Sequence, residues 1–321
     1  MSDVDVLKSR LPEWKDRLSG SDVHSIGPQI ARLLWRSAFY RSLNESRRFL
    51  PDGTEGRKRA NESLHELIDD GYFIANLTAL RRLLDKGSTS GLRGVYSLLG
   101  LIRDVRDNVM FITRANVLEA RGLEYDFEPI RQRAREDAWQ GAKAKGDQAF
   151  FISPDGWAES EYWHRVMDRL CGVEADNRSS CDTPDQNKLE WLLNELEGRG
   201  RNVQGWVDKF VAHAASPVSR QTLHLEQQSM SLAKLWLAER VVVRTASFVS
   251  HNFVNGTNIG GVPVPQFDQF AHLDGPFIHA SALPAMHRAW RQHCNEISSC
   301  ENWFWDSALA DAPDVWKDHD E

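Results

Sequence analysis

Apolar positions recur along this chain at three- and four-residue spacing, the period of a helix that turns one face to a core, and strand-like alternation is absent. Ile30, Leu33, Leu34, Ala38 and Leu43 form the first stripe read in this way. Arg32, Arg36, Arg41, Arg47 and Arg48 occupy the rest of that segment, and Pro51-Asp52-Gly53 ends it. Asn61 or Ser63 can cap the next helix, whose stripe is Leu64, Leu67, Ile68, Ile74, Leu77, Leu80 and Leu84 and which stops at Lys86-Gly87, with Gly71 as a local weakness. A third stretch runs from about Gly91 through Val95, Leu98, Leu99, Ile102, Val105 and Met110, restarts around Ile112 to Leu118, and ends at Gly122. Phe127 to Trp139 reads as a charged, Arg-rich helix. Gly141 to Asp155 then reads as a polar connection whose Ser153-Pro154-Asp155-Gly156 is a turn signal.

Glu161 to Leu170 and Asn187 to Leu196 follow as shorter helices around a polar loop, and Gly198-Arg199-Gly200 leads into a short helical segment from Val203 to His213. Leu223 to Phe253 is read as one long helix packed through Leu232, Leu235, Trp236, Val242, Val243, Phe248 and Val249. Val262-Pro263-Val264-Pro265 suits an extended linker or lid, Pro284 to Ile297 a final helix, and Trp303 to Glu321 a short helix with an acidic tail. The fold class expected is all-α: a multi-helix bundle over 1–253 with an insertion near 143–185, then a linker and C-terminal helical extension over 254–321. Leu77, Leu80, Leu84, Leu98, Ile102, Leu235 and Trp236 are the expected core.

The chain's 321 residues allow one large or two ordinary domains. Lys and Arg number 39 against 46 Asp and Glu, a net charge of −7 that argues against a wholesale polyanion binder and leaves room for a local basic face. Arg57-Lys58-Arg59 with Arg47 and Arg48 could form one, although such runs are most often only solvated surface. Twelve Trp and fourteen Phe offer stacking surfaces, but in a helical body most aromatics are core. Cys171, Cys181, Cys294 and Cys300 are too few for a disulfide framework and are read as reduced. The opening residues lack a signal-peptide pattern and no apolar run approaches the ~20 residues of a membrane span, so a cytoplasmic protein without membrane partners is expected.

Catalytic signatures are sparse. GxGxxG, the phosphate-binding Lys loop, GxSxG and HExxH are all missing, and no cofactor is implied. His287, His293 and Cys294 offer no closed ligand set, because His293 and Cys294 are adjacent and point to different sides of a helix, so no metal site is expected. What remains is Val207-Asp208-Lys209-Phe210-Val211-Ala212-His213. A His at the end of a short amphipathic helix, with a cation and a carboxylate one or two turns upstream, can exchange a proton near neutral pH while the cation holds a phosphate. Lys209 and His213 are four apart and share a face if the helix persists. The commoner fate of such a His is packing among neighbours such as Phe210 and Val211.

The string Asp208 to His213 resembles the signature of the HEPN superfamily (higher eukaryotes and prokaryotes nucleotide-binding): Arg, four to six residues, then His, commonly with Asn or Asp after the Arg and Ala before the His. Leu67-Ile68-Asp69-Asp70-Gly71-Tyr72-Phe73, Leu80-Arg81-Arg82-Leu83-Leu84-Asp85, Tyr96-Ser97-Leu98-Leu99 and Leu123-Glu124-Tyr125-Asp126 resemble its AbiU-like abortive-infection branch. The resemblance implies a helical fold, a homodimer that brings two motifs together, and a role in phage defence or a toxin system with a cognate antitoxin or defence partner. The chain departs from the motif at one place: Val207 stands where active HEPN ribonucleases carry Arg.

Two readings follow. In one, the protein is a metal-independent endoribonuclease in which His213 is the general acid and base, Asp208 orients it, and Lys209 or a remote guanidinium from Arg81, Arg82 or Arg220 steadies the phosphate. In the other, which the missing Arg favours, it is a catalytically silent module that binds RNA or a protein partner. If cleavage operates, His213 should sit at the rim of a cleft with Lys209 and at least one of those arginines, because an ammonium alone does not reproduce the fork of a guanidinium.

Overall fold

The computed structural model describes residues 2–50, 61–86, 94–146, 152, 156–212, 215–223, 229–254, 259, 267–275 and 280–306, with the side chains of the last helix described as far as 296. Every regular element among them is helical, as the spacing of apolar residues predicts. One unit, Met1–Pro263, contains α1 (Asp3–Ser19), α2 (Ile26–Ser46), α3 (Glu62–Leu83), α4 (Leu98–Asp107), α5 (Arg114–Glu119), α6 (Glu128–Lys145), α7 (Trp157–Cys171), α8 (Gln186–Trp206), α9 (Pro217–Gln221) and α10 (Leu232–Val249). The other, Val264–Glu321, contains α11 (Leu283–Asp306). Among the described residues, no helix is long and apolar enough to cross a membrane.

Caps set many of the helix starts. Asn61 accepts the backbone N–H of Leu64 at 2.9 Å and opens α3. Ser97 serves α4 in the same way, and Ser231 serves α10. The helix α1, not picked out from the pattern, starts at a reciprocal Ser2–Asp5 capping box and tolerates Pro12 in its interior. Its Leu7, Trp14 and Leu18 are buried, and Trp14 Nε1 and Arg17 Nη1 both donate to Asp104 of α4, at 2.9 and 3.0 Å.

The core lies where α2, α3, α4, α8 and α10 pack on one another. Leu77, Leu80, Leu84, Leu98, Ile102 and Leu235 are buried in it as expected. Trp236 is not: it is 39% exposed, because α10 turns Leu235, Ala238, Val242 and Val249 inward and leaves Trp236 on its rim. Leu67, Ile74, Val95 and Met110 are exposed as well. Within the stretch expected as an insertion, α7 buries Trp163, Val166, Met167 and Leu170 in the same core.

Two expected breaks are absent. The charged helix α6 continues through Gly141 to Lys145 and stops at Gly146, whose φ of 69° is the left-handed conformation a glycine supplies cheaply. The helix α8 runs unbroken through Gly198-Arg199-Gly200, where a Cβ on Gly200 would meet Leu84 at 3.4 Å, an ordinary contact distance. The single long helix expected over 223–253 is instead α10 followed by a π-helical turn, Ser250–Val254. The Pro-rich stretch 260–266 lies outside the described residues.

Candidate functional site

The motif segment is shaped by the end of α8. From Val207 to Val211 the chain widens into a π-helical turn, closed where Ala212 N–H donates to Val207 C=O at 2.7 Å. The turn packs against α8 and α3, and Val207, 2% exposed, is the residue it directs into the core. The position at which the resembled motif carries Arg is therefore an interior, apolar one here. His213 lies outside the described residues.

Of the candidate residues, Asp208, Lys209, Arg81 and Arg220 are brought to this turn. Arg81, in the last turn of α3, donates from Nε to Asp208 Oδ1 at 2.9 Å and lies 3.9 Å from Asp85. Arg81 and Asp208 are both about a third exposed, so the pair forms at the surface. Lys209 donates from Nζ to Ser219 Oγ at 2.6 Å, which ties the turn to α9. Ser216 caps α9, Pro217 occupies its first turn, and together they position Ser219 and Arg220. Arg220 places its guanidinium 5.9 Å from the centre of the Phe210 ring, and Phe210 stacks on Trp206 at 5.2 Å while staying 37% exposed. Arg82, the immediate neighbour of Arg81, makes no contact with this turn among the described residues. It lines a separate cavity of about 290 Å³ with His24, Gln29, Asp85 and Tyr96.

Of the expected basic patch, Arg47 is paired with Asp69 at 2.6 Å and Arg48 with Glu45 at 2.8 Å, so both charges are neutralised nearby. Arg57, Lys58 and Arg59 lie outside the described residues. Among the described residues, no group of three or more His, Cys, Asp or Glu side chains is placed to hold a metal ion.

Two polar clusters escaped the sequence reading. In the first, the fully buried Arg114 bonds Asp168 at 2.9 Å and Asp182 at 2.8 Å, and Arg178 grips Asp168 from the other side. Arg114 Nη1 faces His164 Nδ1 at 3.3 Å, so the imidazole accepts there and donates from Nε2 to the Tyr125 carbonyl at 2.8 Å. Burial, reinforced by Arg178 and Arg114, holds the His164 pKa below its ordinary value and fixes the neutral ring. Each of these groups serves another within the cluster, which acts as an internal strut. In the second, Glu239 of α10 is fully buried and accepts from Ser37 Oγ at 2.9 Å and Asn76 Nδ2 at 3.3 Å. Desolvation raises its pKa. A cavity lies beside it, lined also by Trp236, Arg41, Arg240 and Arg244. The available signal was a carboxylate on the apolar stripe of α10, four residues after Leu235 and three before Val242.

No family model, no curated protein and no solved structure matches the chain.

Proposed function

We propose that the surface around Phe210 is a binding face for single-stranded RNA that does not cleave it, in a HEPN-like, AbiU-like protein of a phage-defence or toxin-type system. The observation that carries this reading is the burial of Val207, 2% exposed. Metal-independent cleavage needs fixed positive charge where the phosphate gains negative charge, and the motif position meant to supply it points into the core. Arg81, one of the cations brought to this turn, is engaged by Asp208. The turn does offer an exposed aromatic ring flanked by Lys209 and Arg220, the combination on which a base stacks while cations follow the backbone. The family resemblance adds a homodimer and a cognate antitoxin or defence partner to this reading, and light scattering tests the dimer.

The deciding experiment incubates purified protein with labelled single-stranded RNA in EDTA and follows both anisotropy and product length. Intact RNA is expected, bound with an affinity that falls as salt rises and that weakens in Phe210→Ala and in Lys209→Ala/Arg220→Ala. Absence of binding at low salt would refute the proposal. RNA cleavage in EDTA that disappears in His213→Ala would replace it with the ribonuclease reading.

A further inference from the structure

We propose that the cavity between α2 and α10 binds a small organic anion, its apolar body against Leu34, Trp236 and Val243 and its charged head on Arg240 and Arg244. The cavity measures about 370 Å³, within the roughly 300–1,000 Å³ usual for small-molecule sites. It lies apart from the Phe210 face, so the two proposals stand independently.

Charge is the main argument. Arg240 and Arg244 are one helical turn apart on α10 and line the same wall, and Arg41 reaches in from α2 with its guanidinium 4.2 Å from the centre of the Trp236 ring. None of the three has an ion-pair partner among the described residues. Arg17, Arg47, Arg81, Arg103, Arg106, Arg114 and Arg178 are each matched to a carboxylate, and others such as Arg36 and Arg121 bond backbone carbonyls; what sets this cavity apart is that three unmatched arginines line it together.

The one carboxylate lining the cavity makes no ion pair with them, and only Arg41 acts on it electrostatically. Glu239 directs its two oxygens to Ser37 and Asn76, and no Arg or Lys nitrogen approaches it within salt-bridge distance among the described residues. Tyr72 closes the network by sharing a hydrogen bond with Ser37 at 3.2 Å. The cavity thus combines three arginines in its lining with largely apolar walls, a surface complementary to an anion carrying a hydrophobic body. Such a ligand would replace the missing counter-charge and cover the exposed face of Trp236. Carboxylate and phosphate heads meet the same requirement, because both accept from the guanidinium fork.

Isothermal titration with 1-naphthoate, 1-naphthyl phosphate and, as an uncharged control, 1-naphthalenemethanol tests this, with Trp fluorescence recorded in parallel. At least one anion should bind with Kd below about 1 mM, and the alcohol about tenfold or more weaker. The ranking of the two anions distinguishes a carboxylate from a phosphate ligand. Arg240→Gln/Arg244→Gln should raise Kd about tenfold or more with an unchanged melting temperature, both side chains being exposed, and Trp236→Phe should reduce the ligand-induced change in fluorescence. The proposal is overturned if neither anion saturates the protein, if the alcohol binds as tightly as the anions, or if the double Arg variant binds like the wild type.

Discussion

Replacing Glu239 by Gln should make the protein more stable near neutral pH, by an amount that grows as pH rises. The carboxyl is fully buried, accepts two hydrogen bonds and has no cation in salt-bridge range among the described residues. Desolvation therefore lifts its pKa above the ordinary value of 4.5, against smaller opposing effects of Ser37, Arg41 and Asn76. Below that ordinary value the folded and unfolded chains both hold the proton, and the stability associated with the neutral acid is complete. As pH climbs through and beyond it, the unfolded chain ionises first. Stability then falls by up to about 1.4 kcal/mol per pH unit until the folded-state pKa is passed. Gln keeps an oxygen to accept from Asn76 and an amide to donate to Ser37, and it does not titrate. Urea denaturation of both proteins at half-unit steps from pH 4 to 7 gives the difference directly. Asp69, Asp168 and Glu197, whose pKa values are lowered by their Arg partners, contribute the opposite slope to both proteins and cancel. A gap that stays constant or narrows with rising pH would mean that Glu239 is ionised in the fold and held by Arg41, and the reasoning would fail.

Arg114→Met removes the centre of the buried strut and leaves Asp182 without its cation, so a loss of about 3–5 kcal/mol in urea unfolding is expected, and a loss below about 1 kcal/mol would contradict the assignment. Val207→Arg would restore the residue type of the resembled motif, but into the core. It should destabilise by about 1–3 kcal/mol through overpacking alone and yield no RNA cleavage in EDTA. A stable variant that cuts RNA would show that Val207 can turn outward.

Hydrophobic spacing by itself determined that the chain is helical, and it located the stripes that form the core, because a 3.6-residue period is a local property that survives any arrangement of the helices. Residue identities alone also showed Val207 where the resembled motif carries Arg, and Asn61 as an available cap. Which flank of each stripe is finally covered depends on neighbours distant in sequence, and for that reason Trp236, Leu67 and Ile74 were misplaced. Gly198 and Gly200 read as a helix break because a glycine's local helix preference is weak, whereas α8 continues through them with Leu196 and Val203 buried on either side. The same holds for the candidate sites. Asp208 and Lys209 were legible as residues, but the pairing of Asp208 with Arg81, 127 positions earlier, was not. Arg114 and Glu239 were not singled out in the sequence, and only packing decided that one anchors two aspartates and the other lies buried beside a cavity lined by arginines, since burial and charge partnership are properties of the assembled fold.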